Sequence, residues 1–177
     1  FIYAAFCVVR IVLAHARLLA PWMLYLSVIA DVALLMGLIW SFHFKYAQPA
    51  AFYLKVPTLF YVFLFIALRT LRFEARYVVF TGVCASIGWT LLTLYVASGH
   101  GGPPNRTHNF IEYMTSNALL VGAEIDKIIA ILLTTAVLAL AISRARHLLV
   151  RSVSEGAAAR DLSRFFDPGV AARIRTA

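Results

Sequence analysis

Ile128-Ile129-Ala130-Ile131-Leu132-Leu133-Thr134-Thr135-Ala136-Val137-Leu138-Ala139-Leu140-Ala141-Ile142 is an apolar run broken only by two threonines. With its flanks it extends over 123–149, longer than the roughly 20 residues that a helix needs to cross hydrocarbon. Three further segments meet or approach that length. They are 21–42, which opens on Pro21 where a helix start loses no hydrogen bond, 56–71, and 77–97, which stops at a Ser98-Gly99-His100-Gly101-Gly102-Pro103-Pro104 breaker cluster. Residues 1–20 fit either the lower end of a crossing helix or a helix lying at the interface, since Arg10, His15 and Arg17 interrupt them.

Composition agrees with those spans. The chain has 177 residues, 62% of them hydrophobic and 14% charged, with a mean hydropathy of +0.83. Soluble domains are about 45–50% apolar and about 25% charged. Disorder is excluded, because disordered segments are polar and charge-rich. A soluble fold lacks the polar residues to cover its surface. The fold expected is an all-α polytopic transmembrane bundle with four or five crossings. Net charge is +8, which in such a protein reports orientation and lipid headgroups and not nucleic acid. Cys7 and Cys84 both lie in apolar runs and read as buried thiols. The first residue, Phe1, points to a trimmed N-terminus.

Basic residues in short loops set orientation. Arg10, Arg17, Arg69, Arg72, Arg76, Arg144, Arg146 and Arg151 fall on one side of a four-span arrangement, while Lys45, Lys55, Arg106 and Lys127 fall on the other. That asymmetry places 69–76 and the C-terminus in the cytoplasm, as a multi-pass protein of a plasma membrane. The outer side then holds two loops, 43–55 and 98–122, and in the second Phe110–Met114 and the following 117–121 have the makings of a short helix at the headgroups.

Few polar residues remain inside the spans. Asp31 lies halfway along 21–42, where an ionised carboxylate costs about 2.5–3.5 kcal/mol on insertion scales. It reads either as a proton or ligand site or as a tie between helices, through Ser86, Thr90 or Thr134. Glu124, Asp126 and Lys127 open the last span. Their acids suit the positive end of the helix dipole, and Glu124 and Lys127 share a face. The alternative joins Glu124 and Asp126 to the outer histidines His43, His100 and His108 as a site for a divalent metal or for external pH. Haem is disfavoured, because His43 and His147 lie at span ends, His100 and His108 in a loop, and His15 alone sits in a segment able to reach depth.

After Leu149 the chain becomes helix-forming and amphipathic, with Arg151, Glu155 and Arg160 on it and Ala158, Leu162 and Phe165 at helical spacing. A helix continuing from the last span transmits rotation or translation, as a Gly/Ser tether does not. Asp167-Pro168-Gly169 then signals a turn, with the helix expected to stop at Phe166.

Asp161-Leu162-Ser163-Arg164-Phe165-Phe166-Asp167-Pro168-Gly169-Val170-Ala171-Ala172-Arg173-Ile174 closely resembles the segment that joins a signalling region to the catalytic domain in bacterial class III adenylate/guanylate cyclases. Phe42-His43-Phe44, the 52–58 stretch, the 68–73 stretch and Gly122-Ala123-Glu124-Ile125-Asp126-Lys127 resemble the membrane anchors of such cyclases. The resemblance implies a six-helix anchor in the inner membrane (residues 1–149), a cytoplasmic coupling helix and linker (150–177), and homodimerisation. It also implies that ATP and Mg or Mn ions bind only in a catalytic domain lying beyond this chain, so that no cofactor belongs to the chain itself. Arg160, Asp161, Leu162, Phe165, Phe166, Asp167 and Pro168 are then the transmission residues, and His43, His108, Glu124 and Asp126 the candidate sensing group. The rival functions are a small transporter with Asp31 as its coupling residue, and an inert dimerising anchor. Internal repeats or paired broken helices, which a transporter shows, are not evident.

The topology predicts that cysteines placed at Arg72 and Arg151, in a background free of Cys7 and Cys84, react with an impermeant thiol reagent from the same membrane face. Labelling from opposite faces contradicts it.

Overall fold

A computed structural model of the chain describes residues 21–99 and 106–165, with the side chains of Pro21 and 158–165 left aside. The described residues form an all-helical bundle. Helix α1 is Pro21–Lys45, α2 is Phe60–Thr70, α3 is Ala75–Ala97, α4 is Phe110–Thr115 and α5 is Val121–Phe165. Two short 3-10 turns, Ala50–Lys55 and Pro57–Leu59, precede α2. Among the described residues α1, α3 and the first part of α5 are long and apolar enough to cross a membrane.

The fourth expected span differs. Pro57 starts a 3-10 turn that leads into α2, and Pro57–Thr70 is only 14 residues, about 21 Å of rise against a hydrocarbon thickness of about 30 Å. A segment read as an outer loop packs into the bundle ahead of α2. Helix α1 continues through His43 to Lys45, and Ala50–Lys55 then folds back so that Ala50, Ala51, Tyr53 and Leu54 are buried. Such irregular backbone is tolerated at depth only when protein surrounds it. Here Val56 N–H donates to the Tyr53 carbonyl oxygen (3.3 Å) and the Tyr53 hydroxyl donates to that of Leu92 on α3 (2.9 Å).

Helix α3 is the centre of the bundle and packs against α1, α2, α5 and the 3-10 turn. Its buried face, Val78, Thr81, Gly82, Ala85, Trp89, Leu92 and Val96, recurs every three or four residues. Apolar side chains also cover the outside. Leu26, Ile29, Val83, Leu91, Leu133 and Leu140 are all well exposed, a surface that suits lipid and not water. Cys84 is a free thiol of intermediate exposure, and Cys7 lies outside the described residues.

Helices α3 and α5 approach closely at Gly82. A Cβ there would stand 2.0 Å from Thr135 Oγ1 and 2.7 Å from Thr135 Cβ. Thr135 is buried, β-branched and bonded back to the Ile131 carbonyl oxygen (2.7 Å), so it has no rotamer to yield. Small residues permit such approach in membranes. Burial along α5 then falls away, although Ser143, Arg146, His147 and Val150 still line a cavity with Phe73 and Ala75. The last buried side chain of α5 is Ala139, and 140–157 hold none.

Gly82→Ala is expected to destabilise the protein by about 1–3 kcal/mol, read as a lower Tm in detergent. Adding Thr135→Ala to it should recover part of the loss, since two of the three clashing atoms are then gone.

Candidate functional site

At the end of the bundle where α5 begins, Glu124 is 1% exposed. Its carboxylate accepts from Trp89 Nε1 on α3 (3.0 Å), from Lys127 Nζ at both oxygens (2.8 and 3.0 Å), and from the Tyr113 hydroxyl on α4 (3.4 Å). Lys127 places its third donor on the Leu54 carbonyl oxygen (2.7 Å) and lies over the Trp89 ring, 5.1 Å from its centroid. A buried charge is tolerable only when paired and hydrogen-bonded, and every oxygen of Glu124 meets that condition.

Lys55 lies beside this pair. Its ammonium donates to the carbonyl oxygens of Tyr113 and Ser116 and stands 4.4 Å from the Tyr113 ring centroid. Those carbonyls close the C-terminal side of α4, where a cation is favoured. The other end of α4 is capped by Asn109, whose Oδ1 accepts from Ile111 N–H (2.9 Å). Thr107 N–H donates to the Leu119 carbonyl oxygen (3.1 Å) and its hydroxyl to Glu112 (2.5 Å). The 106–120 segment is thus a folded cover pinned by Lys55 and Glu124. Burial pushes the Tyr113 hydroxyl up to about 12, with Glu124 adding to it. Burial likewise raises Tyr53, helped by Tyr95 and Glu124. It lowers Lys55, against the pull of Glu124 and with that of Lys127.

A second ion pair joins α1 to the far end of α2. Asp31 (4% exposed) accepts from Arg69 Nη2, itself 13% exposed. This corrects the partners expected for Asp31. A guanidinium at depth is a stronger partner for a carboxylate than any hydroxyl, and the hydroxyls look elsewhere. Thr90 donates back to the Ser86 carbonyl oxygen (2.7 Å), Ser86 Oγ is buried with no partner among the described residues, and Thr134 is only half-buried. Arg69 is thereby withdrawn from the headgroup charges, leaving the exposed Arg72 and Arg76 in that turn, the latter bonded to Glu74 (2.6 Å).

The expected sensing group is not brought together. His43 is buried among Trp40, Phe44, Tyr53 and Tyr95, with its Nδ1 donating to the Trp40 carbonyl oxygen (2.5 Å). Asp126 and His108 are exposed, and only Glu124 of the four reaches the cluster. No three of His, Cys, Asp and Glu gather to hold a metal among the described residues. His15 and His100 lie outside them. Of the transmission residues, Arg160, Asp161, Leu162 and Phe165 are on α5, while Phe166, Asp167 and Pro168 lie outside the described residues. Trp89, Tyr113 and Lys55 were the partners that sequence reasoning missed. The helical register of Glu124 with Lys127 was a local signal, but contacts across 35 or 58 positions leave none.

Comparison of the chain with protein families, with curated proteins and with solved structures gives no match.

Lys127→Met leaves the Glu124 carboxylate buried without its cation and should cost about 3–5 kcal/mol. Glu124→Gln leaves Lys127, 24% exposed, able to turn to water, and should cost less, about 1–3 kcal/mol. Denaturant unfolding in detergent micelles measures the difference, and equal losses refute the asymmetry.

Proposed function

We propose that the chain is the membrane anchor and signal-transmitting domain of a class III adenylate cyclase, with the Glu124–Lys127–Lys55 cluster at the outer face and the end of α5 in the cytoplasm. The observation that carries the reading is the continuity of α5. One helix of 45 residues bears Glu124 and Lys127 in its first two turns and Asp161 to Phe165 in its last. It passes Gly156 without a break, and the second of those stretches opens the segment that resembles the cyclase linker. A change in packing around Glu124 therefore has a stiff route to the linker and crosses no flexible joint.

In this reading the anchor supplies no chemistry to the conversion of ATP to cyclic AMP. The donor set for the two metal ions is assigned to a catalytic domain following the linker. The anchor's part is to hold two such domains in a relative placement that depends on α5. Coupling of this kind requires two packings that a signal distinguishes. The Asp31–Arg69 pair supports a bracing role for Asp31 and lends nothing to a transporter reading.

The test is one of helical phase. With the chain joined to a class III catalytic domain, two alanines inserted after Val150 rotate everything beyond by about 200°, whereas seven return it to within about 20° of its starting phase. Cyclic AMP output should be strongly altered by two alanines and largely restored by seven. Equal output from both insertions would identify an inert tether.

A further inference from the structure

Beside the Glu124 cluster is a cavity of about 350 Å³, lined by Lys55, Lys127 and Tyr113, whose apolar walls include Leu54, Leu59, Phe60 and Met114. That volume lies within the range of small-molecule pockets, about 300–1,000 Å³. The charges around it do not cancel. Lys55 and Lys127 bring two positive charges and Glu124 one negative, so the group carries a residual +1. Of the other acids nearby, Asp126 is exposed, and Glu112 is exposed and accepts from the Thr107 hydroxyl (2.5 Å).

The unspent valence belongs to Lys55. An ammonium has three donors. Lys127 uses all of its own, on Leu54 and on both oxygens of Glu124. Among the described residues Lys55 uses two, on the carbonyls of Tyr113 and Ser116. Neutral carbonyls satisfy its geometry but not its charge.

We propose that this cavity is a binding site for a monocarboxylate with an apolar body, its carboxylate on the third donor of Lys55 and its hydrocarbon against Phe60, Leu59 and Met114. The charge selects the class. A monoanion neutralises the group, whereas phosphate or another dianion adds a surplus negative charge facing Glu124. A cation or a neutral alcohol leaves the surplus of Lys55 unanswered. Because Lys55 also pins the 106–120 cover through two backbone carbonyls, occupancy tightens the contact between that cover and the cavity. The inference deepens the sensor reading and rests on it only for what occupancy signals. Binding is measured without any output domain, so the two fail separately.

The experiment uses the full chain in nanodiscs of zwitterionic lipid, titrated by calorimetry and thermal unfolding. Hexanoate is the water-borne probe and palmitate, supplied within the bilayer, the lipid-borne one. Hexanol, hexylamine and inorganic phosphate are the controls. Saturable binding of hexanoate with a raised Tm, and none by the controls, is the expected result. Binding of palmitate alone supports the site equally and places its source in the membrane. Lys55→Met should weaken carboxylate binding at least tenfold while Lys55→Arg retains it. Met114→Trp, at an exposed position on the cavity wall, should weaken binding without lowering the Tm of the free protein, which guards against a Lys55→Met variant that merely misfolds. Failure of both carboxylates to bind, equal binding of hexanol, or full affinity in Met114→Trp overturns the proposal.

Discussion

A carboxylate removed from water must be answered by donors wherever it is placed, and in this bundle that demand organises a whole end of the molecule. Glu124 draws Trp89 from α3, Tyr113 from α4 and Lys127 from its own helix, and Lys127 in turn reaches the backbone of the 3-10 turn at Leu54. Three helices therefore meet at one pair of oxygens, and the 3-10 turn joins them through Lys127. The register of α5 against α3 follows. With Glu124 set opposite Trp89, the antiparallel helices bring Thr135 to Gly82, where a side-chain carbon on α3 would stand 2.0 Å from Thr135 Oγ1. A slip of α5 by one residue would strand the carboxylate and drive Thr135 into a neighbouring side chain.

The short α2 is the other consequence of charge held at depth. A helix too brief to cross the hydrocarbon by itself is stable here because both of its ends are anchored. Ahead of it, Lys55 bonds the carbonyls of the α4 cover, and near its close Arg69 reaches Asp31 on α1. The buried 3-10 turn before it is tied in by the Tyr53 hydroxyl, which donates to the Leu92 carbonyl oxygen, and by the Leu54 carbonyl oxygen, which accepts from Lys127. The turn after α2 also carries Phe73 at a positive φ of 53°, a conformation that costs an L-residue roughly 1–2 kcal/mol. The chain accepts it to reverse direction within four residues and start α3.

How much of this could be read from residues alone depends on distance along the chain. The long helices were legible, because hydrocarbon thickness and a run such as 128–142 leave little choice. So was the small helix after Asn109, a residue whose side chain caps the turn that follows it. The unbroken passage from membrane to tail was also expected, since Gly156 alone is a weak interruption. The bounds of the 56–71 segment were legible to within a residue of Pro57–Thr70, but the inward fold of Ala50–Lys55 was hidden. An apolar stretch with Pro57 at its head looks alike whether it spans or fills a gap. Asp31 was recognised as costly, but its partner lies 38 positions away, and nothing local distinguishes an arginine that will be buried from its neighbours Arg72 and Arg76. Likewise His43, expected at an outer site, is surrounded by aromatic rings that only folding assembles.

The length of α5 has a mechanical corollary. At 1.5 Å per residue the 45 positions measure about 68 Å, of which roughly 39 Å lies beyond Ala139, the last buried side chain among those described. A rod gripped firmly along one part and only loosely along the other is a lever with a long outer arm. A tilt of about 10° at the clamp, well within the gentle curvature that long helices tolerate, would carry the far tip sideways by about 7 Å. Displacements at the clamp smaller than a water molecule would thus be magnified at the tip to the width of a side chain.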